Sequence, residues 1–313
     1  RVAAGEVCEL GRSFEGQSPS LGAFVRMLRP YQWVKNVLVL LALVTAQRLN
    51  DPAAVWHALA GAGIFCVLAS SVYVLNDLVD LDNDRRHPIK QRRPLASGTV
   101  SLLTAWLTWP TLLVVAFTLS VLLEPTRFSL VLLAYYLTTV AYSFWLKPKP
   151  IADVVTLAGL YSVRVIAGVY AIQVSVSIWL LTFSLFFFLT LALIKRVSEL
   201  TRIRREGGAA NGRGYRNTDL ELLSSYGVSS GIAAVVIFSL YVNDHKTAGL
   251  YQSPDFLWGA LPILLAWSMR AWLIAHRGEL DEDPILFAAK DRWSLTAGLA
   301  IAALFLAAKV VHG

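Results

Sequence analysis

Charge is scarce in this chain. Only 16% of its 313 residues are Asp, Glu, Lys or Arg, whereas 56% are hydrophobic and mean hydropathy is +0.56. That balance excludes an ordinary soluble domain of this size and predicts an all-α polytopic membrane protein. Cysteine is nearly absent. Cys8 lies in a polar stretch and Cys66 in an apolar run, which excludes a disulfide framework. No C-x-x-C or H-E-x-x-H pattern occurs and the five histidines are scattered, so no site built on sulfur or imidazole is expected. There is no short-period repeat and no signal-peptide pattern. The formal net charge of +7 raises nucleic acid as a partner. The basic residues fall in loops between apolar runs, however, as membrane topology requires, so no nucleic-acid partner is expected.

Nine apolar stretches approach the ~20 residues that cross a bilayer. They cover 33–49, 54–78, 102–123, 128–146, 151–172, 177–197, 220–242, 256–276 and 293–311. Residues 1–22 read as a polar leader or linker, and 23–313 as one transmembrane domain. The loops after the second, fourth, sixth and eighth stretches hold most of the Lys and Arg, among them Arg85, Arg93, Lys147, Arg204 and Arg277. The positive-inside rule puts these loops and the N-terminus in the cytoplasm, with the C-terminus outside, in a plasma (inner) membrane.

The most informative stretch is Asn76-Asp77-Leu78-Val79-Asp80-Leu81-Asp82-Asn83-Asp84, at the end of the second apolar run. On a helix Asp77, Asp80 and Asp84 fall at i, i+3 and i+7 and share a face, whereas Asp82 points elsewhere. Like charges clustered near lipid repel, so this face requires a cation. Oxygen-only ligands suit Mg²⁺, which uses one or two carboxylates and completes its shell with phosphate and water. Lys90, Arg92 and Arg93 follow and suit the remaining phosphate oxygens. The plainer reading is a solvated helix end paired with its basic loop.

Further polar residues occur on the same side. Arg29, Gln32, Lys35 and Asn36 open the first apolar run, as an interfacial anchor or as a polar stripe facing a cavity. Tyr142 and Lys147 close the fourth. Asp153 opens the fifth, where it would also serve as a helix cap. Arg164 lies mid-run, where an arginine is costly unless it faces a polar cavity or a carboxylate. Lys195, Arg196 and Glu199 end the sixth run; Lys195 and Glu199 are spaced for an intrahelical salt bridge, with phosphate or metal contact as the rival. Tyr215 and Asp219 close a basic, Gly-bearing loop at 201–218 that fits no nucleotide fingerprint. The acidic loop with Asp281, Glu282 and Asp283 reads mainly as solvated.

Asn76-Asp77-x-x-Asp80-x-x-x-Asp84 after a membrane helix resembles the first aspartate-rich motif of the UbiA superfamily of intramembrane transferases. In that family two polar motifs face each other across a bundle of about nine helices, and Mg²⁺ binds a diphosphate leaving group. Arg29-Pro-x-Gln-Trp-Val-Lys-Asn36, His87-Pro-x-Lys90-x-x-Arg93-Pro, Arg164-x-x-Ala-Gly168 and Lys195-Arg-x-x-Glu199-Leu are similar to one branch, the polyprenyl-phosphate phosphoribosyltransferases. The second motif of the aromatic prenyltransferases is a further aspartate cluster; here Lys195 and Arg196 stand in that region, as an additional anionic load would require.

The resemblance implies transfer of 5-phosphoribose from phosphoribosyl diphosphate (PRPP) to a polyprenyl phosphate, a precursor route to arabinofuranose-containing glycans. The implied metal ligands are Asp77, Asp80 and Asp84. Lys195, Arg196 and Arg164 would meet the 5-phosphate or the acceptor phosphate, and Lys35, Lys90 and Arg93 the diphosphate. Arg29, Gln32, Asn36, Asn76, Tyr142, Lys147, Asp153, Glu199 and Tyr215 complete the expected substrate site. Membrane lipids surround it, and the reading leaves room for a homo-oligomer and an upstream soluble domain. An aromatic prenyltransferase of quinone or haem biosynthesis is the first alternative and a lipid or ion transporter the second. The transporter is disfavoured because the charges lie on one membrane face.

Overall fold

A computed structural model of the chain describes residues 20–87, 89–205, 214–245, 249–280 and 283–311. Most of the leader 1–22, the glycine-rich part of 201–218, and Asp281 and Glu282 lie outside the described residues. Among those described, the regular structure is helical: α1 (Leu21–Met27), α2 (Leu41–Thr45), α3 (Pro52–Val79), α4 (Leu81–Arg86), α5 (Leu102–Leu123), α6 (Thr126–Ala141), α7 (Ala152–Ala171), α8 (Ile178–Arg205), α9 (Leu220–Asn243), α10 (Ala260–His276), α11 (Pro284–Lys290) and α12 (Arg292–Val310).

Among the described residues, eight helical segments are long and apolar enough to cross a membrane, and they match the second to ninth expected runs. The first run differs. Pro30–Leu40 is a 3₁₀-helix that passes into the short α2. A 3₁₀ turn rises about 2.0 Å per residue against about 1.5 Å in an α-helix, so fewer residues cover a given depth. The chain enters this segment through Arg29 at φ 53, directly before Pro30, whose ring disfavours the α region for the residue it follows.

The helix faces explain the composition. Only 6% of the apolar window of α12 and 11% of that of α5 is buried within the protein. Helices this apolar and this exposed need a non-aqueous surrounding, and the protein is a multi-pass membrane protein.

The chain forms two compact units. The first comprises Ala69–Leu113 with the described part of Arg1–Pro30. Its core joins Ala23 and Met27 of α1 to Val74 of α3 and to Leu95, Val100 and Ala105. Polar ties reinforce it: Ser70 Oγ donates to Leu28 O at 2.9 Å and Ser71 Oγ to Trp109 O at 2.9 Å. The second unit comprises Tyr31–Leu68 and Val114–Gly313. Its largest core packs α7 against α8, with α9 and α10 adding Leu223, Trp272 and Ala275. Thr190 links three of these helices, accepting from Trp272 Nε1 at 3.0 Å and donating to Gly227 O at 2.7 Å. A Cβ at Gly227 would collide with the Trp272 ring, so this close helix approach requires glycine.

The tight Lys147-Pro-Lys-Pro150 break separates the fourth and fifth runs. It follows a π-turn at Tyr142–Leu146 and ends with Ile151 at φ 67, where the Ile151 N–H donates to Tyr215 Oη at 3.1 Å. This reversal sets Tyr142 and Asp153 side by side.

Candidate active site

In the first unit, the helical path continues almost unbroken from α3 into α4: Asp80 N–H donates to Asn76 O at 2.9 Å and Asp84 N–H to Asp80 O at 2.8 Å. The expected shared face therefore forms. Asp77 and Asp84 are each 2% exposed, and Asp82 is exposed. One guanidinium nitrogen, Arg93 Nη1, donates to Asp77 Oδ1 at 3.2 Å and to Asp84 Oδ2 at 2.5 Å. Arg29 also pairs with Asp77 Oδ1 and lies over the Tyr73 ring at 5.4 Å. Asp80 is close enough to act electrostatically on Asp77. Lys90 lies in the 3₁₀ turn that leads to Arg93.

Among the described residues no three His, Cys, Asp or Glu side chains form a ready-made metal cage. The donor set nevertheless fits Mg²⁺. Two carboxylates converge on a single cationic atom, and Asp77 Oδ2 is buried without any hydrogen-bond partner. Mg²⁺ needs only one or two carboxylates when substrate phosphates and water fill the rest of its shell.

The second unit holds a cationic cluster. Asp283 Oδ2 accepts from Lys35 Nζ at 2.9 Å and from Lys195 Nζ at 3.0 Å, and the Tyr161 hydroxyl lies 3.2 Å from both Asp283 oxygens. Asp283 is 8% exposed. Burial alone would raise its carboxyl, but Lys195 and Lys35 more than offset this and hold it below the usual carboxylate range. A cavity of about 410 Å³ opens on this cluster, with Gln32, Lys35, Lys195, Arg202 and Asp283 in its wall. Gln32 Oε1 is buried without a hydrogen-bond partner.

Arg164 is 4% exposed. Its guanidinium donates to Asn36 Oδ1 at 3.0 Å, Leu160 O at 2.6 Å and Tyr135 Oη at 2.8 Å, and it lies over the Tyr135 ring at 4.8 Å. All of these partners are neutral. The carboxylate that the sequence offered as one alternative is not among them. Asn36 also donates to Cys66 Sγ at 3.3 Å.

Asp153 pairs instead with Arg196. Arg196 Nη2 donates to Asp153 Oδ1 at 3.0 Å, Arg196 Nε pairs with Asp153 Oδ2, and Tyr142 Oη donates to Asp153 Oδ1 at 2.7 Å. Arg196 Nη1 donates to Glu199 Oε2 at 2.6 Å. Tyr215 is buried beside this group; burial, with the Asp153 carboxylate nearby, pushes its hydroxyl up to about 12.

Arg196 is 1% exposed and paired with two carboxylates in a buried ion network. Two expectations are corrected. Lys195 does not bridge to Glu199: it reaches Asp283, and Glu199 pairs with Arg196 at i, i+3. Asp283 is not a solvated loop acid. Its partners lie 248 and 88 residues away, and its only local signal was the Asp-Pro step that caps α11, where it accepts from Ile285 N–H at 3.2 Å. Tyr135 and Tyr161 were likewise missed, because a tyrosine in an apolar run reads as core. Lys147 follows the turn that carries Tyr142, and the Asn76 carbonyl accepts from the Asp80 N–H in the helical ladder.

A second cavity in this unit, of about 370 Å³, is apolar, with Leu38, Leu41, Phe183, Phe187, Phe238 and Phe305 in its wall.

The model of the UbiA prenyltransferase family matches residues 36–295. Nodulation protein NoeC of Azorhizobium caulinodans is 36% identical over 89% of this chain and 91% of its own length. A decaprenyl-phosphate phosphoribosyltransferase of Mycobacterium tuberculosis is 30% identical over 89% of this chain and 94% of its own. Protein y4nM of Sinorhizobium fredii is 35% identical over 90% of this chain, which spans 55% of that relative. Among solved structures, a UbiA homologue from Archaeoglobus fulgidus bound to GPP and Mg²⁺ superposes with TM-score 0.68 at 19% identity, covering 92% of this chain and 100% of that one. The chain belongs to the UbiA prenyltransferase family, a family of membrane transferases.

Proposed function

We propose that this member of the family transfers the 5-phosphoribosyl group of PRPP to a polyprenyl phosphate, giving polyprenyl-phosphoryl-5-phosphoribose. One observation carries the reading: in the second unit Lys35 and Lys195 share one carboxylate, Asp283, and the buried Arg164 is held by neutral partners only. Buried positive charge in excess of its counter-charge is costly unless an anion arrives. A prenyl diphosphate brings phosphate at one end only. PRPP brings a 5-phosphate besides its diphosphate, and the lipid acceptor brings another. The decaprenyl-phosphate phosphoribosyltransferase relative supports the same reading.

Asp77 and Asp84, with Asp80 beside them, would hold Mg²⁺. When bound there, the ion neutralises charge that grows on a departing diphosphate. Arg29 and Arg93 keep the two buried carboxylates in place and add positive charge for the diphosphate oxygens. Lys35, Lys195 and Arg164 take the 5-phosphate or the acceptor phosphate. The C1–O bond to diphosphate breaks as a lipid phosphate oxygen bonds to C1 from the opposite face. That oxygen is already anionic, so the residues need to position it rather than deprotonate it. The apolar cavity suits the first isoprene units of the lipid. The basic-loop distribution supports a cytoplasmic site in the plasma membrane, and the product class suits arabinofuranose-containing glycans.

The test is transfer of label from PRPP to a short polyprenyl phosphate by purified protein in detergent. Lipid-phase label that disappears with EDTA is the expected result. Turnover of geranyl diphosphate with an aromatic acceptor, and none of PRPP, would replace this reading with the prenyltransferase alternative.

A further inference from the structure

Lysine is a poor choice for a fixed anion site. Its ammonium is a point charge on a flexible four-carbon stem, and ordering it costs rotamer entropy. Here two lysines from distant parts of the chain end on the same oxygen atom: Lys35 Nζ and Lys195 Nζ lie 2.9 and 3.0 Å from Asp283 Oδ2. Lys35 also lies 5.8 Å from the centre of the Tyr161 ring.

Asp283 is itself firmly held. Its Oδ1 caps α11, Pro284 follows at the first helical position, and Ile285 and Phe287 of that helix pack against the large core. The preceding described residue, Leu280, is buried, and its carbonyl accepts from Ser198 Oγ at 2.8 Å. The carboxylate is thus a fixed point to which two mobile ammoniums are tied.

Each ammonium has three N–H donors. Asp283 Oδ2 takes one from Lys35 and one from Lys195, so tying them to a shared acceptor sets the direction of the donors that remain. Both lysines line the 410 Å³ cavity, as Gln32 and Arg202 do. We propose that Asp283 is a positioning residue: it fixes the Lys35–Lys195 pair as a two-pronged donor for a phosphate monoester entering this cavity. It does not compete with that phosphate for the lysines. This rests on the PRPP reading, and it assigns the 5-phosphate to this cavity.

Two measurements separate the inference from the reading beneath it. The first is saturable binding of ribose 5-phosphate, followed by thermal shift of the full chain in detergent. The unaltered protein and an Asp77→Asn variant should bind it alike, because the acidic cluster is a different group of residues. Absence of binding by the unaltered protein would overturn the reading and the inference together. Asp283→Asn keeps the size and one acceptor but loses the charge; it should bind about 10- to 100-fold more weakly, the range for losing charge-assisted hydrogen bonds. Equal or tighter binding by Asp283→Asn would overturn the inference alone, and would show that the carboxylate competes with the ligand.

The second measurement is the split between KM and kcat. Asp283→Asn should raise KM for PRPP by a similar factor, with kcat and the KM for the lipid acceptor close to those of the unaltered protein. Asp283→Glu should recover part of the loss. A fall in kcat at unchanged KM, not recovered by glutamate, would mark Asp283 as merely structural.

Discussion

Replacing Arg164 by Met separates two roles that a buried arginine can have. The side chain makes three hydrogen bonds, at 3.0, 2.6 and 2.8 Å, to Asn36 Oδ1, Leu160 O and Tyr135 Oη. Bonds from a charged donor are worth about 1.5–3 kcal/mol each, and Leu160 O keeps its place in the helix ladder when one is removed. Against that loss stands the cost of holding a guanidinium 4% exposed with no carboxylate partner, which is several kcal/mol. The two nearly cancel. Arg164→Met should therefore shift the apparent Tm in detergent by only a few degrees, as read by tryptophan fluorescence. A charge waiting for a substrate phosphate predicts a larger effect on turnover: kcat/KM for PRPP should fall about 100-fold, or ~2.7 kcal/mol. The rise in Tm that PRPP gives the unaltered protein should disappear in the same variant. Arg164→Lys should lie between the two. A variant that unfolds readily, with normal kcat/KM in its folded fraction, would refute this reasoning and leave Arg164 a structural residue.

Asp77→Asn combined with Asp80→Asn should abolish divalent-metal-dependent turnover while the protein stays monodisperse by size-exclusion chromatography; full activity would remove the metal from the acidic cluster. Within the buried ion network, Asp153→Ala leaves Arg196 without its main partner and should cost about 3–5 kcal/mol of stability. Asp153→Asn with Arg196→Met should cost much less, and a chemical-denaturation series on the three proteins checks the order. On another part of the second unit, Glu124 has both carboxyl oxygens buried without a hydrogen bond and lies 3.4 Å from His57 Nδ1. Burial pushes its carboxyl from an ordinary 4.5 up to about 7. The folded protein then binds more protons than the unfolded chain between these values. Stability should accordingly fall as pH rises from about 4.5 to about 7, by on the order of 3 kcal/mol, and level off above. Glu124→Gln should flatten that slope in unfolding scans, and a slope that persists would assign it to another group.

The sequence carried the helices well because their signal is local. An apolar run near twenty residues long has few alternatives in a membrane, and α5 falls at Leu102–Leu123 as expected. The first run was misread as an ordinary α-span because length and hydropathy say nothing of the hydrogen-bond register that makes Pro30–Leu40 a 3₁₀-helix. The acidic face was legible for the same local reason: Asp77 and Asp84 lie one helical path apart, and Arg93 follows nine residues later. The partners of Lys195, Arg196 and Arg164 were not legible. Lys195 and Glu199 have good salt-bridge spacing, yet Lys195 finds its partner across the fold in Asp283 and Glu199 pairs with Arg196 on the same helix; the contact at long range is invisible to periodicity. Asp283 shows the limit most clearly. A carboxylate between Glu282 and Pro284 reads as solvated until tertiary packing brings Lys35 and Lys195 to it.

The cations that lie around Asp153 and Asp283 divide into two groups. Arg196 is met by Asp153 and Glu199, and its charge is cancelled within the protein. Lys35 and Lys195 share Asp283, and Arg164 has neutral hydrogen-bond partners, so among the described residues these three cations are paired with one carboxylate. A phosphate monoester near neutral pH carries close to two negative charges. A purely structural network has no reason to retain the imbalance, since replacing a buried charge by an apolar residue is often neutral or stabilising. On the proposed reading, the cations around Asp283 suit a phosphate beyond the diphosphate, which is what a phosphoribosyl donor and a lipid phosphate have and a prenyl diphosphate with a neutral acceptor lacks.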